Sequence, residues 1–248
     1  DKALRQFQIK AKVEETLVAP MVLTHLVETR GGTKISEIER HLSDVSRYMG
    51  LPENAVRLNL DIDGKKGKIA IEVPLSVRRQ VGLLELMQSE VSIKSTAHLP
   101  LRLGLNTLGD TICEDLTEMP HLLVAGSTGS GKSIALNSML ISLLFNCSPS
   151  KLRLVLIDPK MVEFSHFRDL PHLHGDVITE SEEAIESLNG LTDIMDDRYR
   201  LLNENGFRNL AEYNDAKNHE DGMPHLVVVI DELADLLMME GKVAEEPI

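Results

Sequence analysis

Apolar and polar positions change their period partway along this chain of 248 residues, and the change divides it. Residues 1–19 read as a helix, basic at its start through Lys2, Arg5, Lys10 and Lys12. Pro20 to Glu28 alternates apolar with polar residues as a half-buried strand does, and Arg30-Gly31-Gly32 supplies a turn. Thr33 resembles a helix N-cap, after which Ile35, Ile38, Leu42, Val45 and Met49 recur at helical spacing until Gly50. Two further alternating stretches, Ala55–Asp63 and Lys68–Val73, flank Gly64-Lys65-Lys66-Gly67, a hairpin signal whose lysines read as a solvated tip. Together these elements predict a small α+β domain over residues 1–100. Loop and short strands from His98 to Glu118 lead onward.

Beyond residue 120 strand and helix patterns alternate, as a parallel sheet requires. The predicted strands are Leu122–Ala125, Leu152–Ile157 and His225–Ile230, each a short, almost wholly apolar run. The predicted helices are Lys132–Phe145, Ser181–Asn203 and Asn209–Lys217. The second domain, residues 101–248, is thus of the α/β class.

Composition narrows the function classes. The net charge is −13, unevenly spread: residues 1–120 carry 16 Lys and Arg against 17 Asp and Glu, residues 121–248 carry 10 against 22. A general basic face for nucleic acid is absent, so any such contact must come from local loops or a ring of subunits. There is no Trp, and aromatics are few, which disfavours base-stacking platforms. The two cysteines, Cys113 and Cys147, have no ligand spacing and suggest a reducing compartment. No apolar run reaches the ~18 residues of a membrane helix, so a cytoplasmic location is expected.

The chemistry lies between His121 and Ser133. There the predicted strand runs into Gly126-Ser127-Thr128-Gly129-Ser130-Gly131-Lys132-Ser133, the G-x-x-x-x-G-K-S pattern of a phosphate-binding loop. Glycines let the backbone fold around an anion with its N–H groups inward, Lys132 offers charge to β- and γ-phosphates, and the Ser133 hydroxyl suits Mg²⁺. The following helix points its positive end at the same place. The plainer reading is a glycine-rich turn that binds nothing, but the strand before the loop and the helix after it favour ATP.

Asp231-Glu232 ends the last apolar strand. Asp231 there suits Mg²⁺ held through water, and Glu232 suits activation of the attacking water. Glu232 and Lys132 are therefore the expected catalytic residues, with Ser133 and Asp231 on the metal. Acidic residues also suit an ordinary helix start, which is the competing reading. Asp158-Pro159-Lys160 closes the middle strand on the edge where such sheets bind ligands. His172 and His174 lack a third metal ligand and read as a loop pair. Arg198 and Arg200 read as surface charges, with a contact to an adjacent subunit's nucleotide as the alternative.

Several segments in order resemble the FtsK/SpoIIIE family of DNA-translocating motors: 119–126 (MPHLLVAG) entering the loop, 156–160 (LIDPK), 171–173 (PHL), Arg198-Tyr199, 208–214 (RNLAEYN) and 229–236 (VIDELADL). The resemblance, over about residues 17–248, implies a RecA-like P-loop ATPase domain preceded by a smaller domain. It further implies a hexameric ring with double-stranded DNA in its channel, serving chromosome segregation at cell division or mobile-element transfer. It also implies one more strand, following in sequence, between the phosphate-loop strand and the acidic strand, so the chain is expected to be a piece of a longer protein. Family members often carry membrane helices and a winged-helix domain, and neither is seen in these residues. The rivals are a protein-secretion ATPase on the same motor fold and a nucleotide-dependent assembly scaffold, both mildly favoured by the acidic second half.

Overall fold

The computed structural model describes residues 2–29, 31–60, 62, 68–217 and 222–240. Its contacts divide the chain into two compact units, Asp1–Asp115 and Leu116–Ile248.

In the first unit a short helix α1 (Lys2–Gln6) leads into strand β1 (Ala11–Val18) and strand β2 (Val22–Thr29). The helix predicted through residue 19 is therefore wrong after its first turn and a half. Val13, Thr16 and Val18 are β-branched, and β1 pairs antiparallel with β2 from Ala11 opposite Thr29 to Val18 opposite Leu23, with a register shift at Glu14. Tertiary pairing outweighs the weak helix preference of the intervening Ala, Lys and Glu.

Helix α2 (Ile35–Tyr48) follows, capped by Lys34 without a side-chain bond. Thr33 is not the cap; its hydroxyl donates to the Lys10 carbonyl at 3.2 Å and ties the turn to the start of β1. Gly50, at φ 71°, closes the helix as expected of a left-handed terminator. Strands β3 (Arg57–Asn59) and β4 (Ile69–Pro74) complete an antiparallel sheet in the order β1-β2-β4-β3. The hairpin turn expected at Gly64–Gly67, with Lys65 and Lys66, lies outside the described residues, as does Arg30.

Period-2 alternation gives this sheet two apolar faces. Val27, Ile69, Ile71 and Val73 gather with Ile38 and Val45 of α2 on one side, while Leu26 and Ala70 meet Ile62 on the other. Helices α3 (Leu83–Met87) and α4 (Glu90–Ile93) precede a hairpin of β5 (Pro100–Leu105) and β6 (Thr111–Asp115).

The second unit is built on strand β7 (Leu152–Ile157) and strand β8 (His225–Ile230), parallel and in register from Leu152 opposite His225 to Ile157 opposite Ile230. Helix α5 (Lys132–Asn146) precedes them; α6 (Ser181–Glu204) and α7 (Leu210–Ala216) lie between them in sequence; α8 (Leu233–Glu240) follows. All the apolar residues of β7 are buried on both faces, as a parallel sheet requires, and Arg153 alone is partly exposed. On its other edge it bonds the 172–178 segment: Leu154 N–H to the His172 carbonyl at 2.8 Å and Ile178 N–H to the Leu156 carbonyl at 2.9 Å. Val155 and Ile157 pack with Ala184, Ile185 and Leu188 of α6 and with Leu236 of α8.

The strand predicted over Leu122–Ala125 is not formed. Leu123 is 80 % exposed and Leu122 43 %. An apolar run supplies the side chains of a parallel strand but not its ladder, and among the described residues no strand pairs with this one.

Candidate functional site

The loop after Ala125 keeps its form through particular glycines. Gly129 and Gly131 sit at φ 80° and 100°, the left-handed region that L side chains rarely adopt. A Cβ on Gly126 would stand 2.3 Å from the Ser130 hydroxyl oxygen. The Ser130 N–H donates to the Ser127 carbonyl at 2.9 Å, closing the turn over Thr128 and Gly129. Gly131 then caps α5, so Lys132 and Ser133 occupy its first two positions. A loop folded this tightly, ending in a helix N-terminus, fits a phosphate chain.

Residues far apart in sequence meet at Lys132. Its ammonium donates to the Asp231 carbonyl at 2.9 Å and to Glu232 Oε2 at 3.0 Å, and Asp231 Oδ1 stands 3.4 Å away. The parallel ladder explains the meeting: β8 ends at Ile230, and the Asp231 N–H donates to the Ile157 carbonyl at 3.1 Å, holding the acid pair at the carboxyl edge of the sheet. The hydrogen bond that Lys132 donates to Glu232 is the main reason its ammonium is held above its ordinary pKa, against partial burial. Burial pushes the Asp231 carboxyl up, Lys132 pulls it back, and Glu163 and Asp158 add to the rise.

Asp158 is itself almost completely buried at the end of β7. Its Oδ2 accepts from the Glu163 and Phe164 N–H groups at 2.9 and 3.0 Å, so one oxygen holds the turn after the strand. Its Oδ1 is buried with no hydrogen-bond partner among the described residues. Lys160 reaches Asp235 Oδ2 at 2.8 Å, linking that turn to the first turn of α8, and this bond raises the Lys160 pKa.

The expected loop residues, Lys132, Ser133, Asp231 and Glu232 thus lie in one unit, with Lys132 joining the loop to the acid pair. Asp158 stands at this corner, on the sheet edge where its place at the end of β7 put it; Glu163 and Asp235, which also shape the corner, carry no such signal in the sequence beyond the spacing of Asp235 four positions after Asp231. The other candidates separate. His172 is buried, and its Nε2 meets the Cys147 carbonyl at 2.8 Å, so it joins the end of α5 to the strand-like segment beside β7. No group of three metal-ligating side chains occurs among the described residues. Arg200 pairs with Asp197 at 2.7 Å one turn away on α6, while Arg198 is half-buried with its pKa lowered by desolvation. No described helix is long and apolar enough to cross a membrane.

Comparison with known proteins agrees along the whole chain. Residues 1–75 match the FtsK alpha domain and residues 82–248 the FtsK/SpoIIIE family. The DNA translocase FtsK of Campylobacter jejuni is 41% identical over 244 residues, covering 98% of this chain and 26% of that protein. The DNA translocase FtsK of Helicobacter pylori strain J99 is 40% identical over 247 residues, covering 99% and 29%. The DNA translocase SpoIIIE of Bacillus subtilis is 36% identical over 256 residues, covering 100% and 32%. The chain spans about a quarter to a third of the length of these relatives.

Two solved structures share the fold. The pCW3 conjugation coupling protein TcpA, a monomer with ATPγS, aligns at TM-score 0.55 and 22% identity over 99% of this chain and 68% of that one. The cytoplasmic domain of the type VII secretion ATPase EccC of Thermomonospora curvata aligns at 0.52 and 27% over 67% and 21%. The glycine-rich loop before α5, the acid pair that ends the parallel strand and the two matched family domains lead to one conclusion: the chain belongs to the FtsK/SpoIIIE family.

Proposed function

We propose that this chain is the motor portion of an ATP-driven double-stranded DNA translocase. The observation that carries the reading is the meeting of Lys132 with Asp231 and Glu232 in a chain of this family. In this reading the backbone N–H groups of Gly126 to Ser133 hold the phosphates, with Lys132 on the β- and γ-phosphates. Ser133 and Asp231 hold Mg²⁺, which when bound offsets negative charge on the phosphates. Glu232 orients the attacking water and accepts its proton. Asp158 Oδ1, buried and without a hydrogen-bond partner among the described residues, adds an acceptor at the same corner. The residues 1–100 serve as the alpha domain and 101–248 as the ATPase domain. Six copies form a ring whose channel loops grip phosphates of the duplex, and the motor works on the cytoplasmic side.

The charge distribution decides how DNA is held. With 22 acidic residues against 10 basic in residues 121–248, contact must rest on loop cations gathered by the ring, not on one basic face. Backbone contacts of that kind position a protein without reading bases. ATP hydrolysis by the full-length protein should therefore rise with long duplex DNA of any sequence, and the rise should fade as salt increases. The likeness to the EccC domain favours one rival, a polypeptide-moving ATPase. If duplex DNA neither binds nor stimulates hydrolysis at low salt while a polypeptide does, the rival stands.

A further inference from the structure

An ammonium group has three N–H donors and no acceptor. At Lys132 two of them are taken, by the Asp231 carbonyl at 2.9 Å and Glu232 Oε2 at 3.0 Å, while Asp231 Oδ1 stands 3.4 Å away as an ion-pair partner. Lys132 thus makes two hydrogen bonds, to the Asp231 carbonyl and to Glu232, and a longer ion pair with the Asp231 carboxylate. Its surroundings keep the engagement strong. Side-chain exposure is 21% at Lys132, 7% at Asp231 and 37% at Glu232, so solvent screens the contacts only in part. The Asp231 hydrogen bond comes with the strand end, through a backbone carbonyl that no side-chain change removes. The Glu232 contact is the one hydrogen bond here made to a side chain, and that side chain is the more exposed of the two acids.

We propose that Glu232 sets nucleotide affinity as well as hydrolysis, because it competes with the phosphates for Lys132. Binding is then an exchange of partners: Lys132 gives up the Glu232 carboxylate to donate to a phosphate oxygen, and the carboxylate is released. A freed carboxylate can accept a proton from water; one committed to an ammonium cannot do so as well. The exchange ties the appearance of the base to the arrival of nucleotide. This inference rests on reading residues 126–133 as a nucleotide site, and it adds an affinity role that hydrolysis alone does not require.

The test is equilibrium binding of ADP with Mg²⁺ to the full-length protein, since ADP binding involves no hydrolytic step. Four proteins are compared by calorimetry: wild type, Glu232→Gln, Lys132→Ala and the double variant. Glu232→Gln should bind ADP about fivefold more tightly, the scale of one part-exposed ion pair. In the Lys132→Ala background the same change should do nothing, because the competitor has no lysine to hold. Unchanged affinity in Glu232→Gln overturns the proposal. So does equal tightening with and without Lys132, which would mean plain repulsion between Glu232 and the phosphates. If Lys132→Ala binds as tightly as wild type, the nucleotide-site reading itself fails, whatever Glu232 does.

A second measurement needs no nucleotide. Lys132 acylation is followed by peptide mass spectrometry, with Lys151 as internal reference. Glu232→Gln should speed Lys132 modification about fivefold on the same scale, and an unchanged rate overturns the proposal even if ADP binding to Lys132→Ala is too weak to measure.

Discussion

The sheet of residues 1–115 completes itself from strands that follow one another closely; the parallel pair of residues 116–248 cannot. β1 and β2 form a hairpin, β3 and β4 pair antiparallel as sequence neighbours, and only α2 intervenes between the halves. Both faces of that sheet are covered, with Leu26 and Val27 fully buried. In the second unit β7 is equally buried, but β8 leaves Val228 38% exposed, and Leu122 and Leu123 before the phosphate loop are open as well. Parallel strands need crossovers, here α6 and α7, so their order owes nothing to neighbours in sequence. The same non-locality makes the chemistry: Lys132 and Glu232 are 100 positions apart and touch. Local pairing builds a stable domain; distant pairing builds a site.

The largest effects should come from the two cores. Ile38→Ala and Leu154→Ala, each at a fully buried position, should each lower stability by about 3 kcal/mol. Denaturant unfolding measures both. Equal losses would show that the buried interiors are of one quality and that the units differ only at their edges. Much smaller loss at Leu154 would mean that β7 is loosely packed despite its burial.

Next comes the site. Lys132→Ala should weaken ATP binding about 100-fold, since it removes charge-assisted hydrogen bonds worth ~1.5–3 kcal/mol each. Circular dichroism should show the first unit's fold unchanged. Calorimetric titration with ATPγS provides the affinity, and wild-type binding would remove Lys132 from the site.

A smaller loss is expected at the loop backbone. Gly131→Ala places a Cβ at φ 100°, with no neighbour within 4 Å to clash, so the cost is conformational alone. It should amount to ~1–2 kcal/mol. Gly126→Ala meets instead a side chain, the Ser130 hydroxyl. Adding Ser130→Ala should restore part of the nucleotide affinity that Gly126→Ala loses, and no rescue would locate the strain in the backbone.

The smallest effect is a pH response confined to the first unit. Partial burial lowers the His25 pKa below 6.5, while Thr16 Oγ1 stands 2.8 Å from its Nδ1. Protonation then favours the unfolded chain, which keeps the ordinary value. The stability contributed is full above pH 6.5 and is lost as pH falls from there through the folded-state pKa. His25→Gln should flatten the melting temperature of the first unit over that window; an unchanged slope would assign the response to other groups.

Much of this architecture is legible in the order of the residues alone. The α2 stripe and the β7 and β8 runs carry their own periodicity, and each forms within a residue or two of its expected bounds. The failures share a cause. Residues 11–18 contain helix formers, but β2 offers them a ladder. Leu122–Ala125 has a strand's composition, but among the described residues no ladder partner. Thr33 has a capping side chain, but the Lys10 carbonyl takes its hydroxyl.

The sequence by itself determined which residues could hold phosphate and which could take a proton, because a glycine-rich loop, a lysine and adjacent carboxylates have that chemistry wherever they stand. It also determined the family, through motifs in order. Only the tertiary structure decided that Lys132 gives its hydrogen bonds to Asp231 and Glu232, that Asp158 spends one oxygen on its own turn, and that Lys160 ties β7 to α8 through Asp235. Those facts depend on which strand lies beside which. A parallel ladder is chosen by burial across the whole unit, and no local pattern encodes it.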